Sequence, residues 1–182
     1  DATFNFFDDF SYGTAVSSTA VNTAIGKAIS WIGHAQDAIS GGVSYYYNTA
    51  SSAWNPQGYP EVSGYILPTL YDTATANNTS NPTYAAQLRT RAQRIANWEL
   101  TVQSANGSWT YVFDTGQIIE GLARAYQETG NSSYLTAAEK AATWLVSVQA
   151  ADGTWPGDYG GFAHAYHARV AAWGAYPCNP DQ

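Results

Sequence analysis

Three residues beside predicted helices have side chains suited to proton transfer: Glu61 in the segment YPE, Asp114 in DTGQIIEGL and His167 in HAYHAR. Two carboxyl groups can act as acid and base on a glycosidic bond when they lie roughly 5 to 9.5 Å apart. Structural roles are equally open, because Asp114 suits a helix N-cap and an acid at Glu61 complements a helix dipole. Glu61, Asp114 and His167 are therefore the candidate catalytic residues, with no roles assigned among them.

Aromatic and polar residues in the neighbouring loops suit the binding of sugars. Aromatic faces stack on the C–H surfaces of a sugar, while amides and charged groups bind its hydroxyls. The alternative is that these tyrosines and tryptophans fill space between helices of small residues. The candidate glycan-binding residues are Tyr45, Tyr46, Trp54, Gln117, Tyr159 and Arg169.

Motifs for other kinds of catalytic site are missing or weak. His164 and His167 share a helix face, but a pair spaced as HxxH is a weak metal signal without a third ligand. The sequence contains no nucleophile elbow, phosphate-binding loop or dinucleotide-binding glycine pattern. We therefore expect neither a metal nor a cofactor.

Composition limits the partners and the location. The net charge is −7 and the seven lysines and arginines are scattered, which argues against nucleic acid and anionic membranes. No apolar run approaches the roughly 18 residues of a membrane span. A chain that starts at Asp1 and contains no methionine is typical of a mature extracellular protein. Four sequons supply candidate glycosylation sites, at Asn77, Asn78, Asn106 and Asn131.

One phrase recurs along the chain. WELTVQSANGSW at 98–109 and WLVSVQAADGTW at 144–155 share the spacing Trp-x4-Gln-x3-Gly-x-Trp, and residues 28–43 hold a shorter version. Helical periodicity leads into each phrase, with caps predicted at Asn81-Pro82 and at Asn131. A second helical pattern follows each phrase, at 61–74, 114–130 and 161–176. These patterns predict six helices in three hairpins, with the loops on one rim.

With these residues in order, the chain resembles the (α/α)-toroid proteins, rings of helical hairpins found in terpenoid cyclases, prenyltransferases and many glycan-active enzymes. The repeated phrase is similar to the QW motif of squalene-type cyclases. The segments AQDAISGGVSYYY, YPEVSGYILPTL and FDTGQIIEGLARAYQETGNSSYL resemble toroid proteins encoded among bacterial polysaccharide biosynthesis genes. The resemblance implies an all-α partial toroid and an association with carbohydrate, but it carries no catalytic assignment.

The expected organisation is an N-terminal arm at 1–18, a helical domain at 19–177 and a tail at 178–182. The toroid relatives look about twice as long, and half a ring leaves two apolar flanks uncovered. Other copies of the chain can cover these flanks and form a closed or open assembly, or the arm can cover them in a monomer.

The leading hypothesis is that the chain is an extracellular, glycosylated subunit with a structural or glycan-binding role. It is expected to self-assemble, and the specific assembly we expect is a filament. The alternative is a secreted polysaccharide-processing enzyme, which would be a lyase, a hydrolase or an epimerase with its site on the rim. A lipid-handling cyclase is disfavoured because the acidic motif of terpene cyclases is missing.

Overall fold

The computed structural model describes residues 17–157 together with His167, Val170 and Ala171. Within this part the chain is mostly helical, which confirms the all-α prediction. The helices are α1 (Ser18–Asp37), α2 (Pro60–Ala76), α3 (Pro82–Val102), α4 (Val112–Thr129) and α5 (Ser132–Ser147). Two short antiparallel strands, β1 (Tyr47–Asn48) and β2 (Ala53–Trp54), form a hairpin between α1 and α2. No helix in the described part is long and apolar enough to cross a membrane.

Two of the predicted helix starts are confirmed. The side chain of Asn81 accepts a hydrogen bond from the backbone N–H of Tyr84, and Pro82 occupies the first turn of α3. At the start of α5, Asn131 accepts a hydrogen bond from the backbone N–H of Ser133. Both asparagines thus satisfy a donor that the first helical turn leaves unpaired.

The predicted N-cap role of Asp114 is wrong. Helix α4 begins two residues earlier, at Val112, with Tyr111 as its N-cap. The Thr115 hydroxyl accepts a hydrogen bond from the backbone N–H of Trp109 (3.0 Å) and donates to the carbonyl of Tyr111 (2.8 Å). This threonine ties the incoming turn to the helix, so Asp114 lies inside the first turn and is buried.

Helices α2 and α4 pack closely because glycines lie where they cross. A Cβ atom at Gly121 would lie 2.6 Å from the carbonyl oxygen of Gly64, and one at Gly64 would lie 2.9 Å from the Cα of Ile118. Only glycine allows this separation of the two backbones. Gly64 meets Ile118 and Leu67 meets Gly121, so the two helices run in the same direction.

Helices α3 and α5 pack against this central pair. The most extensive contacts join α2 to α4, α2 to α3, and α4 to α5, whereas α3 and α4 touch only lightly. The closely packed consecutive pairs are therefore α2/α3 and α4/α5, rather than the α3/α4 pair that the repeated phrase connects. The partial ring stays a prediction, since the expected arm, the tail and most of the last predicted helix lie outside the described residues.

The doubled phrase folds into the same turn twice. The indole N–H of Trp109 donates a hydrogen bond to the carbonyl of Glu99 (3.2 Å), and the indole N–H of Trp155 donates to the carbonyl of Leu145 (2.9 Å). Both bonds span ten residues and both are buried. The tryptophan that ends each phrase therefore anchors the turn to its own helix.

Candidate functional site

A tyrosine and a carboxylate meet at the start of α2. The hydroxyl of Tyr59, the N-cap residue, donates a hydrogen bond of 2.6 Å to Oε2 of Glu61 in the first turn. This bond, together with burial and the negative charges of Glu61 and Asp114, raises the pKa of Tyr59 above its ordinary value of 10.0. The hydroxyl of Tyr59 therefore keeps its proton at neutral pH.

The crossing of α2 and α4 brings Asp114 to the same place. Gly64 lies three residues after Glu61, and its contact Ile118 lies four residues after Asp114. Because the helices run in the same direction, both carboxylates lie about one turn before the crossing. The charge of Asp114 also contributes to the raised pKa of Tyr59. Two of the three candidate catalytic residues are thus brought together, in the first turns of α2 and α4.

A second tyrosine stacks beside Tyr59. The ring of Tyr45 lies 4.3 Å from that of Tyr59, tilted by 33°, and Tyr45 is 53% exposed. Its loop is held to α2, because Tyr59 donates its backbone N–H to Val43 and Val43 donates its own to the Ser63 hydroxyl (both 2.9 Å). Tyr46 lies edge-on to Tyr45 at 6.0 Å. We define the tyrosine–carboxylate cluster as Tyr45, Tyr59, Glu61 and Asp114.

Trp54 belongs to a separate aromatic group. Its ring lies 4.7 Å from that of Trp31 and 5.0 Å from that of Tyr47, and Trp31 lies 5.3 Å from Tyr47. Trp31 is 51% exposed. Of the residues predicted to bind a glycan, Tyr45 therefore lies in the tyrosine–carboxylate cluster with Tyr46 beside it, whereas Trp54 lies in this second group.

The structure describes two of the other predicted site residues, Gln117 and His167. Gln117 is fully buried, and neither atom of its side-chain amide has a hydrogen-bond partner among the residues described. His167 is buried and lies edge-on to Trp155 at 5.9 Å. Tyr159 and Arg169 fall outside the described residues, so their roles stay predictions, as does that of Gln117. In the described ranges, no three His, Cys, Asp or Glu side chains come together as a metal site requires.

The four sequon asparagines all lie at helix ends or in turns. Nδ2 of Asn77 donates a hydrogen bond to the carbonyl of Thr73 in α2 (2.8 Å). A glycan would be attached at this same nitrogen atom. Asn78, Asn106 and Asn131 are exposed, and each accepts a hydrogen bond through Oδ1. These three are better placed than Asn77 to carry a glycan.

Tyr59 and Trp31 were not among the residues singled out from the sequence. Tyr59 stands two residues before Glu61, where a predicted helix start brings both side chains to one end of the helix. Trp31 is the tryptophan of the first copy of the phrase. Its exposure sets it apart from Trp98 and Trp144, which are partly buried.

Comparison with known proteins finds that part of the chain is similar to a carbohydrate-related family. The family model described as the D-glucuronyl C5-epimerase C-terminus matches residues 92–158, which is 67 of the 182 residues. The matched segment includes Asp114 and Gln117 but not Glu61, so it covers one side of the tyrosine–carboxylate cluster. No curated protein and no solved structure matches the chain significantly.

Proposed function

We propose that the protein binds carbohydrate at the tyrosine–carboxylate cluster. The observation that carries the proposal is the convergence of an exposed tyrosine ring, a hydrogen-bonded Tyr59–Glu61 pair and a second carboxylate at the ends of α2 and α4. The Tyr45 ring offers a face for the C–H surface of a sugar, and the carboxylates accept hydrogen bonds from its hydroxyls. The carbohydrate-related family match over α3 to α5 supports the same conclusion.

The second candidate is epimerisation at C5 of a D-glucuronyl unit, which the matching family supports. In this reaction a base removes the C5 proton, which the neighbouring carboxylate of the sugar acidifies. A proton is then delivered to the opposite face, so the substrate keeps its composition. Glu61 or Asp114 is the base in this proposal, and the protonated Tyr59 is a donor within hydrogen-bond reach of Glu61.

The charge of the polysaccharide distinguishes a D-glucuronyl substrate from a neutral carbohydrate ligand. A D-glucuronyl polysaccharide is anionic, whereas the cluster carries two carboxylates and the chain a net charge of −7. Added salt screens the repulsion between like charges. The affinity for an anionic polysaccharide is therefore expected to rise with salt, while the affinity for a neutral one stays constant.

The extracellular location and the covalent glycans belong to the same proposal. Few charges, many hydroxyl and amide side chains, and exposed sequons at Asn78, Asn106 and Asn131 support secretion with glycosylation. Mass spectrometry of the protein from its natural source, before and after enzymatic removal of N-glycans, tests this part. An unchanged mass refutes glycosylation without affecting the proposed binding site.

Self-association completes the proposed function. Support comes from apolar side chains exposed on α1 and near the end of α5, including Ile25 (48%) and Val146 (72%). Contiguous exposed apolar surface is characteristic of interaction sites. An assembly built from such contacts is a scaffold that presents one tyrosine–carboxylate cluster per subunit.

The binding proposal is tested by titrating neutral and D-glucuronyl polysaccharides into the protein in a calorimeter. Loss of one hydrogen bond to a charged group weakens binding by about tenfold or more, so Glu61→Gln is expected to do so. Tyr45→Ala removes the stacking face and acts in the same direction. Glu139→Gln is the matched control, because Glu139 is an exposed carboxylate on α5. Equal affinity of all three variants and the unsubstituted chain refutes the site.

The epimerase candidate is tested separately by incubating a D-glucuronyl polysaccharide with the protein in D₂O. Proton removal and return at C5 introduces deuterium there, which NMR detects as loss of the C5 proton signal. Incorporation abolished by Glu61→Gln or Asp114→Asn supports catalysis. Binding without any deuterium incorporation rejects catalysis on that substrate and leaves carbohydrate binding in place.

A further inference from the structure

A glutamine in the repeated phrase links each repeat to the next. The side-chain amide of Gln36 donates to the carbonyls of Gly41 (3.0 Å) and Arg91 (2.9 Å). The amide of Gln103 donates to the carbonyls of Gly107 and Ala137 (both 2.9 Å). In each case the first acceptor is a glycine of the glutamine's own turn. The second acceptor lies in the first helix of the next repeat, which is α3 for Gln36 and α5 for Gln103. It stands seven residues before the tryptophan that begins the phrase in that helix.

The third glutamine completes only half of this pattern. Gln149 donates to the carbonyl of Gly153 (2.9 Å), and it has no second acceptor among the described residues. Its turn is uncovered as well. A Cβ atom at Gly107 would lie 2.6 Å from the carbonyl oxygen of Lys140, whereas one at Gly153 would meet no described atom within 4 Å. The end of α5 thus presents an unfilled half of a contact made twice within the chain.

The complementary half is presented by α1. Counting back from the repeat tryptophan Trp31, the position of the second acceptor is Ala24, and Lys27 stands where Lys140 stands relative to Trp144. Ala24 and Lys27 are both exposed. The first helix therefore offers a backbone acceptor and a turn-covering segment that nothing in the described part of the chain uses.

The apolar face of α1 is unpartnered in the same register. Leu88 and Ala92 of α3, ten and six residues before Trp98, are buried in the core. The equivalent residues of α5 are buried too, but those of α1 are Val21 (44% exposed) and Ile25 (48%). Helices α3 and α5 bury this stripe against the helix that precedes them. Among the described residues, helix α1 therefore lacks the neighbour that its sequence pattern requires.

We infer that a second copy of this chain docks on the end of α5 through its own α1. In this contact Gln149 donates its second amide N–H to the carbonyl of Ala24 of the second copy, and the segment around Lys27 covers Gly153. The occupant is another copy because one sequence carries both halves of the contact. The inference deepens the self-association proposed above and is independent of glycan binding.

This contact is heterologous, since α5 of one copy meets α1 of the next copy. Such contacts repeat head to tail, so they produce a closed ring when the rotation closes and an open filament when it does not. The cluster residues Tyr45, Tyr59, Glu61 and Asp114 are not among the residues that form the proposed contact. Association and carbohydrate binding are therefore expected to respond to different substitutions.

Sedimentation of the 182-residue chain over a wide concentration range tests the docking. Ile25→Glu places a charge in the interface, and we expect it to weaken association by about a hundredfold. Gln149→Ala removes one hydrogen bond, which corresponds to about tenfold. Val146→Glu places a charge three residues before Gln149 and is also expected to weaken association. Val102→Glu is its matched control, because Val102 is an exposed valine outside the proposed contact.

Cross-linking tests the register. In a Cys178→Ser background, Ala24→Cys with Gln149→Cys is expected to give chains joined to one another by a short bismaleimide. The internal pair Gln103→Cys with Ala137→Cys occupies the equivalent positions within one chain and calibrates the reaction.

Association that Ile25→Glu and Gln149→Ala weaken, together with inter-chain cross-links, supports the proposal. Association that neither variant alters refutes this contact and leaves self-association through another surface. A chain that stays monomeric at every concentration refutes the docking and the proposed self-association. None of these results bears on carbohydrate binding.

Discussion

Glu99 is a buried carboxyl group without a hydrogen-bond partner in the described part of the chain. The residue is 0% exposed on α3, and neither of its oxygens has a hydrogen-bond partner within the described residues. Burial raises its pKa well above the ordinary value of 4.5. The third copy of the phrase has Leu145 at the same place, directly after the repeat tryptophan. The carboxyl group therefore occupies a position that suits an aliphatic side chain.

We predict that Glu99→Leu stabilises the protein. A buried polar group without a partner costs about 1–3 kcal/mol, and leucine has a similar volume. The folded state also holds this proton more tightly than the unfolded state does. The stability of the unsubstituted chain therefore falls as pH rises above 4.5, with a slope of at most about 1.4 kcal/mol per pH unit from this group. The advantage of Glu99→Leu consequently grows with pH.

Urea unfolding followed by tryptophan fluorescence, at several pH values above and below 4.5, measures the effect. Glu139→Gln serves as the control, because an exposed carboxylate on α5 is expected to change the free energy of unfolding by less than about 0.5 kcal/mol. A Glu99→Leu variant less stable than the unsubstituted chain at neutral pH refutes the reasoning. The reasoning is also refuted if the free energies of unfolding of Glu99→Leu and of the unsubstituted chain fall by the same amount as pH rises.

Three further substitutions test the packing. Gln103→Ala removes the hydrogen bond to Ala137 that links two repeats, together with the bond to Gly107 in its own turn, and is expected to cost about 1–3 kcal/mol. Gln149→Ala in the dilute chain removes only the bond within its own turn and is expected to cost less than about 0.5 kcal/mol; equal losses in urea unfolding contradict the linking role. Tyr71→Phe removes a buried hydroxyl without a partner in the described region, so the melting temperature is expected to stay constant or rise, and a large fall contradicts this. Gly121→Ala pushes a methyl group against the carbonyl of Gly64 and is expected to cost about 1–3 kcal/mol and to weaken carbohydrate binding, because the crossing positions both carboxylates; calorimetry showing unchanged affinity contradicts that link.

Features set by neighbouring residues were predictable from the sequence. The caps at Asn81 and Asn131 depend on hydrogen bonds to residues two or three positions away. The turns of the doubled phrase depend on ten-residue contacts that the phrase itself contains, such as that of Trp109 with Glu99. The recurrence of Gln103 in the phrase does not by itself identify the carbonyl of Ala137 as its acceptor.

Features that arise where distant segments meet were not predictable in the same way. The approach of Glu61 to Asp114 depends on the close crossing at Gly64 and Gly121, and helical periodicity alone does not show which helices will pack together. The burial of Glu99 is also a tertiary effect, since a glutamate on a helix is usually exposed. Helix α4 begins two residues before Asp114, where Thr115 forms hydrogen bonds with the backbone of Trp109 and Tyr111. A capping pattern alone does not reveal these bonds.

The central claim, carbohydrate binding at the tyrosine–carboxylate cluster, is tested most directly by NMR of the protein with labelled tyrosine rings during addition of polysaccharide. Tyr45 and Tyr59 are stacked at 4.3 Å, so a sugar on Tyr45 is expected to shift the ring signals of both, assigned by Tyr→Phe substitution. Signals of Tyr84 on α3 and of Tyr126, twelve residues after Asp114 on α4, are expected to stay in place. Saturable shifts of Tyr45 and Tyr59 support the account. Shifts confined to other tyrosines, or no shift with any neutral or D-glucuronyl polysaccharide, contradict it.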